Sequence, residues 1–96
     1  MPSKEQFKDF VLEQLHGLAS VTIKRMMGEY LFYLDGTLFG GIYDDRFLIK
    51  ITETNKGYGL TTAIPYPNAK PMYLVENLED TEYLKELITE TIKGLK

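Results

Sequence analysis

The sequence contains no cysteine and no tryptophan, and it has a single histidine among its 96 residues. Without cysteine the chain forms no disulfide bonds and no thiolate zinc sites, which is compatible with a cytoplasmic location. No apolar run reaches the length of a membrane-spanning helix, and the N-terminus lacks the apolar segment of a signal peptide. We therefore expect a protein with no membrane association.

The charge is weakly acidic, with 11 Lys and Arg residues, 14 Asp and Glu residues, and a pI near 5.1. A net charge of −3 provides no general attraction to nucleic acid or anionic lipid. The sequence shows no internal repeat, low-complexity tract or linker. A chain of this length can bury one hydrophobic core, so we expect a single domain over residues 1–96.

No set of residues has the spacing of a catalytic or metal site. His16 has no nucleophile or carboxylate at a telling distance, and we place it in the last turn of a helix, where it complements the helix dipole. Asp44 and Asp45 are adjacent acids in a tight turn, where their side chains point apart. Gly40-Gly41 lacks the spacing of a phosphate loop and indicates close packing or sheet bending. We predict no enzymatic activity, no cofactor and no metal.

The stretch from Tyr30 to Ile51 holds most of the large apolar side chains and predicts three strands joined by two tight turns. Asp35-Gly36 between apolar runs is a strong signal for a two-residue hairpin turn, and Asp44-Asp45 is a weaker one. These turns set the register of the strands. They predict the pairs Leu34–Thr37, Tyr33–Leu38, Leu31–Gly40 and Glu29–Ile42, then Tyr43–Arg46, Ile42–Phe47 and Gly40–Ile49.

Because side chains alternate between faces along a strand, these registers sort the sheet into two surfaces. The predicted core face is almost wholly aliphatic or aromatic and carries Leu31, Tyr33, Leu38, Ile42, Phe47, Ile49 and Ile51. The other is a predicted aromatic-cationic face with Tyr30, Phe32, Leu34, Phe39, Tyr43, Arg46, Leu48 and Lys50. This second face is too apolar to remain bare in water. If both helices lie on one side of the sheet, we expect it to form a symmetric homodimer.

Two amphipathic helices frame the strands. Residues 3–16 start with a capping box at Ser3–Gln6, and Gly17 is predicted to end the helix in a left-handed conformation. Its predicted buried stripe is Phe7, Phe10, Val11, Leu15 and Leu18. Asp80 is a predicted N-cap of the second helix. The stripe of that helix is Leu84, Leu87, Ile88, Ile92 and Leu95.

The remaining segments are less regular. A strand beginning at Val21 is expected to break or end at Arg25, with Lys24 and Arg25 as solvated cations at a strand edge. Residues 52–71 are mostly irregular, with a weak helix signal through Leu60 and Ala63, and a segment of this kind is often functional. Met72–Val75 returns to the sheet. The predicted fold is α+β, an antiparallel meander sheet with an N-terminal and a C-terminal helix.

Three blocks, Thr22–Tyr30, Leu34–Phe39 and Asp44–Lys50, resemble the N-terminal domain of the TfoX/Sxy family of competence regulators. The order and spacing of the blocks match, and the resemblance extends from Phe7 to about Leu95. Met27 replaces an aromatic residue that is usual in the family, and Glu29 stands where a second glycine is common. The resemblance implies a bacterial cytoplasmic α+β domain that lacks the family's C-terminal helical domain. It supplies no catalytic residues.

Two functional hypotheses follow. The first is a non-enzymatic regulatory module that binds itself or another protein. The residues assigned to its surface are Lys24, Arg25, Met26, Gly28, Glu29, Tyr30, Phe32, Phe39, Arg46 and Lys50. The less favoured alternative is a nucleic-acid-binding sheet, in which Tyr30, Phe32 and Phe39 stack on bases beside Arg46 and Lys50. The acidic net charge argues against that alternative.

Overall fold

The structure is a computed structural model and describes residues 5–96. Two helices frame a six-stranded sheet in which all paired strands are antiparallel, in the order β1-β2-β3-β4-β6-β5. In chain order the elements are α1 (Glu5–Gln14), β1 (Val21–Met26), β2 (Glu29–Leu34), β3 (Thr37–Tyr43), β4 (Arg46–Ile49), a 3-10 helix (Lys56–Tyr58), β5 (Thr62–Ala63), β6 (Met72–Leu74) and α2 (Thr81–Leu95). The predicted α+β meander with a helix at each end is confirmed.

Three tight turns join the first four strands. Both residues of Met27-Gly28, Asp35-Gly36 and Asp44-Asp45 have positive φ angles, between 49° and 83°. This conformation is that of type I′ turns, whose twist matches the twist of the flanking strands. The two predicted hairpin turns are therefore confirmed. The predicted break at Arg25 is wrong, because β1 pairs with β2 in regular register as far as Met26.

A β-bulge at Phe39 changes which residues of β2 face the core. Close to the turn, Tyr33 pairs with Leu38, as predicted. Beyond the bulge the register is shifted by one residue, so that Phe32 pairs with Gly40. A shift of one residue moves every following side chain to the other face of the sheet. The predicted pairs Leu31–Gly40 and Glu29–Ile42 are therefore wrong, whereas all three predicted pairs of the β3–β4 hairpin are confirmed.

The core lies between the two helices and one face of the sheet, and its centre is aromatic. The Phe32 ring meets Phe39 edge-on at a centroid distance of 6.2 Å and lies 5.6 Å from Phe47. Tyr30, Phe32 and Phe39 are only 5 %, 0 % and 0 % exposed. The predicted aromatic-cationic face is therefore wrong in these three residues. The core cluster is Val11, Leu15, Tyr30, Phe32, Phe39, Ile42, Phe47, Ile49, Tyr73, Val75, Leu84, Leu87, Ile88 and Ile92.

The helices follow the predicted stripes except at Phe10, and the predicted left-handed end of α1 at Gly17 is wrong. In α1, Phe10 is 41 % exposed although it was expected to be buried. Gly17 does not have a positive φ angle; the left-handed residue in this connection is Ser20, with φ at 63°. The Asp80 N-cap of α2 is confirmed, since its carboxylate accepts a 3.1 Å hydrogen bond from the Tyr83 amide. The predicted capping box includes Ser3, which lies outside the described residues.

A buried asparagine ties the segment after β4 to α2. The Asn55 side chain is fully buried and accepts a 2.9 Å hydrogen bond from the Thr52 amide. Its amide group donates to the Lys50 carbonyl and to the Thr91 hydroxyl, both at 2.9 Å. The predicted helix through Leu60 and Ala63 is wrong, because only a single 3-10 turn forms and β5 follows it.

We expect Ile49→Ala to lower the free energy of unfolding by about 2–5 kcal/mol, since it removes a fully buried side chain from the core. Ile51 is the matched control. We predicted it to lie in the core, but β4 ends at Ile49 and Ile51 is 36 % exposed. Ile51→Ala should therefore cost about 1 kcal/mol or less. Denaturant unfolding of both variants measures the difference, and equal losses would contradict the face assignment.

We expect Asn55→Ala to cost about 3 kcal/mol, because it leaves several buried polar groups without partners. Asn77→Ala, at an exposed position, is the control and should be close to neutral. Thermal and denaturant unfolding of both variants checks this expectation. A neutral Asn55→Ala would mean that water replaces the side chain and that the segment is not held by this network.

Candidate functional site

Both helices pack on the same face of the sheet, so the opposite face carries no helix within the described residues. We call this opposite surface the open face. The alternation of β2, β3 and β4 places Leu31, Leu38 and Leu48 on it. Leu31 and Leu48 are buried, yet they do not belong to the main core. The open face is therefore a second apolar surface, whose cover must come from loops or from a partner.

Part of that cover is the segment of residues 64–71, which is held by Arg46. The Arg46 guanidinium donates hydrogen bonds from Nη2 to the carbonyls of Ile64 (3.0 Å) and Pro65 (3.3 Å). Its Nε donates to the Tyr43 carbonyl at 3.2 Å. The Tyr66 ring lies 6.1 Å from the Tyr43 ring, centroid to centroid. Arg46 thus anchors this segment to the sheet, and its role is structural.

Beside the segment lies a cavity of about 610 Å³, which we call the methionine groove. Met26 and Met27 form its outer rim and are 48 % and 95 % exposed. Glu29 is the one charged side chain in the lining, and its carboxylate accepts a 3.0 Å hydrogen bond from the Asp44 amide. Unbranched, polarisable methionine side chains adapt to many partner shapes. The full lining is Met26, Met27, Glu29, Leu31, Leu38, Tyr43 and Tyr66.

A second cavity, of about 620 Å³, lies on the other side of Tyr43 and Tyr66. We call it the lysine groove, because Lys50 and Lys70 are its only charged lining residues. The two grooves share Leu38, Tyr43 and Tyr66, which places them side by side. Each cavity is within the usual range for a ligand site. The full lining is Leu38, Gly40, Tyr43, Lys50, Ile51, Pro65, Tyr66, Ala69, Lys70, Pro71, Met72 and Leu95.

The predicted interaction residues are distributed over several places. Met26 and Glu29 line the methionine groove, and Lys50 lines the lysine groove. Lys24 and Arg25 are exposed on opposite faces of edge strand β1, where they pair with Leu31 and Tyr30. Gly28 completes the β1–β2 turn, with φ at 82°.

Sequence reasoning missed four important lining residues of the open face: Met27, Leu38, Tyr66 and Lys70. Leu38 was placed on the wrong face because of the bulge. Tyr66 and Lys70 lie in the proline-rich segment that had no regular pattern, and their place is set by tertiary contacts with β3 and β4. The only feature of the sequence that pointed to these two residues was the length and irregularity of the segment that contains them.

The described residues do not bring together any group of three His, Asp or Glu side chains that could hold a metal. His16 lies outside both grooves, with its Nδ1 atom 2.9 Å from the Glu13 carbonyl oxygen. No helix within residues 5–96 is long and apolar enough to cross a bilayer. What the open face offers is apolar contact area with a few charges at its margins.

Two tyrosines have pKa values above the ordinary 10.0. Burial raises the pKa of Tyr43, and the neighbouring Tyr66, Glu29 and Tyr33 add to the rise. Burial and a 2.9 Å hydrogen bond to Glu86 raise the pKa of Tyr58 to about 12. Both pKa values are higher in the folded than in the unfolded chain. The protonated phenols therefore contribute to the free energy of unfolding, and this contribution is fully present below pH 10. It is lost as the pH rises through the folded pKa.

We expect Tyr66→Ala to lower the pKa of Tyr43 toward 10, because it removes part of the cover and the neighbouring phenol. Tyr66→Phe keeps the cover and should retain most of the rise. The ring carbon resonances of labelled tyrosine, followed against pH, measure both variants. Tyr58 is the internal control and should titrate near 12 throughout. An unchanged Tyr43 pKa in Tyr66→Ala would show that Tyr66 does not cover it.

Comparison with known proteins identifies the family to which the chain belongs. The family model of the TfoX N-terminal domain matches residues 13–94. A relative from Spirochaeta aurantia, described as an uncharacterized 12.7 kDa protein in the trpE 5′ region, is 29 % identical over 98 residues. That alignment covers 99 % of this chain and 85 % of the relative. The resemblance carried by the three sequence blocks is thus confirmed, and the chain belongs to the TfoX N-terminal domain family.

Proposed function

We propose that this domain is a non-enzymatic regulatory module that binds a protein partner through the open face. The main support for this proposal is that large apolar side chains around the grooves are exposed. Met26, Met27 and Tyr66 are 48 %, 95 % and 59 % exposed. Contiguous exposed apolar patches of this kind usually mark interaction sites. Membership of a family associated with competence regulation supports the regulatory part of the proposal. The proposed setting is the bacterial cytoplasm.

The chemistry of the open face favours a protein partner over nucleic acid. The side chains expected to stack on bases, Tyr30, Phe32 and Phe39, are inside the core. Arg46, expected to contact phosphates, is hydrogen-bonded to the backbone of residues 64 and 65. The remaining surface is apolar and rimmed by methionine, and such a surface gains free energy by burial against another apolar surface.

A second copy of the chain is an alternative occupant of this face, and the homodimer stays a prediction. Its premise, that both helices lie on one side of the sheet, holds in the structure. The interface would however consist of Met27, Leu38 and Tyr66, because Phe32 and Phe39 are buried. Sedimentation velocity over a wide concentration range separates self-association from binding of a different protein.

Site-specific photo-crosslinking in the cells that produce the protein tests the proposal. A photoreactive benzoylphenylalanine replaces Tyr66 in the open face, and in a separate variant it replaces Phe10 in α1. Both residues are exposed aromatics, at 59 % and 41 %, but they lie on opposite sides of the sheet. We expect covalent adducts with a protein from position 66 and none from position 10.

Equal yields from both positions, or no adduct from position 66, would contradict the assignment of the open face as the interaction surface. An adduct whose mass is twice that of the chain would identify the partner as a second copy. Circular dichroism of both variants before irradiation confirms that the fold is intact, which both substitutions should preserve because each replaces one exposed aromatic ring by another.

A further inference from the structure

We infer that the partner segment bound by the open face is an apolar stretch with Asp or Glu at one end, and that this acidic end lies in the lysine groove. The inference rests on the proposed function and adds the chemistry and the direction of the bound segment. It is carried by the distribution of charge along the two grooves.

The lysine groove combines an apolar wall with positive charge that no carboxylate of the described residues neutralises. In the part of the chain that the structure describes, Lys50 and Lys70 are the only charged residues in its lining. Within residues 5–96, neither lysine forms an ion pair, whereas Lys56 and Lys93 have carboxylate oxygens at 3.1 and 2.9 Å. A ligand carboxylate that reaches this groove would therefore meet two unpaired ammonium groups beside apolar surface.

The other end of the open face offers no such positive charge. Within residues 5–96, no lysine or arginine lines the methionine groove, and the Glu29 carboxylate in its lining accepts the hydrogen bond from the Asp44 amide. Between the two ends lie Leu38, Tyr43 and Tyr66, which line both grooves. A bound segment would therefore be oriented, with its acidic end at Lys50 and Lys70 and its apolar residues crossing toward Met26 and Met27.

The charge of the rest of the molecule does not favour an acidic segment. The net charge is −3, and the outward side of α2 carries Glu82, Glu86 and Glu90 along one surface. That surface of α2 also carries Lys85, and the net charge of the molecule gives an acidic segment no general attraction. The attraction in the proposed complex therefore comes from Lys50 and Lys70 themselves, beside the apolar wall of the lysine groove.

Selection of twelve-residue peptides displayed on phage tests this inference. Against the unaltered protein, we expect the enriched peptides to share an apolar stretch flanked on one side by Asp or Glu. The double variant Lys50→Glu, Lys70→Glu should reverse this preference to Lys or Arg, because it inverts the charge of the lysine groove. The control variant Lys56→Glu, Lys85→Glu makes the same change in charge outside both grooves and should select the same peptides as the unaltered protein.

Calorimetric titration of one selected peptide gives the size of the effect. Single changes Lys50→Ala and Lys70→Ala should each weaken binding about two- to fivefold, as expected for partly exposed ion pairs. Changing the acidic residue of the peptide to its amide should weaken binding to the unaltered protein similarly, and should strengthen binding to the Lys50→Glu, Lys70→Glu variant, whose groove repels the acid. This non-additivity identifies the contact itself.

The outcomes separate the inference from the proposed function. If the selected peptides have no acidic preference but lose affinity in Tyr66→Ser, the inference is overturned and the open face remains the binding surface. If no peptide depends on Tyr66 or Leu38, both are overturned. If sedimentation shows a dimer that Tyr66→Ser dissociates, a second copy occupies the face and the acidic segment is rejected.

Discussion

One extra residue in β3 determines which side chains of β2 face the helices and which face away from them. Beyond the bulge at Phe39, the register between β2 and β3 is shifted by one residue. This shift places Tyr30 and Phe32 on the face that packs against the helices. The Phe39 carbonyl accepts a 2.8 Å hydrogen bond from the Lys50 amide, so the bulged residue is tied to the end of β4. Without the bulge, Leu31 and Tyr33 would face the helices and the aromatic rings would face outward.

Glycine is required at the two positions that follow the bulge. A Cβ atom on Gly40 would lie 2.3 Å from the Leu48 carbonyl oxygen and 2.9 Å from the Ile49 Cα atom. One on Gly41 would lie 2.4 Å from the Tyr30 carbonyl oxygen. The contacts are with the backbone of neighbouring strands, which cannot move aside as a flexible side chain would. Gly40-Gly41 therefore allows the backbones of β2 and β4 to approach β3 closely just after the bulge.

The proposed function follows from how the two faces are covered. The helical face is closed by α1 and α2, whereas residues 64–71 only partly cover the other face and are held there by Arg46. Their position divides the open face into a methionine-rimmed part and a lysine-bearing part. A flat apolar surface would bind with little selectivity. In the proposed binding mode, the lysines at one end of this surface set the chemistry and the direction of the bound segment.

The structure also explains which features the sequence could predict. Turn residues act locally, so Asp35-Gly36, Asp44-Asp45 and the Asp80 cap were identified correctly. The bulge at Phe39 leaves the Asp35-Gly36 turn unchanged, so the turn residues did not reveal it. Because both faces of this sheet are apolar, the alternation of side chains could not show which face is buried. Met26 and Glu29 were predicted as interaction residues within the segment from Lys24 to Glu29, and Lys50 from the alternation of side chains in the predicted sheet. Tyr66 and Lys70 were not, because contacts between distant parts of the chain place them.

The most direct test of this account is side-chain accessibility in solution, measured by NMR with a soluble paramagnetic probe. The account predicts strong broadening of the Met26 and Met27 methyl signals and of the Tyr66 ring, with the Phe32 and Phe39 rings protected. Phe10, on the helical side, should broaden as well and serves as the reference for an exposed aromatic ring. Broadening of Phe32 and Phe39 to the level of Phe10 would contradict the bulge-determined sidedness and, with it, the assignment of the open face.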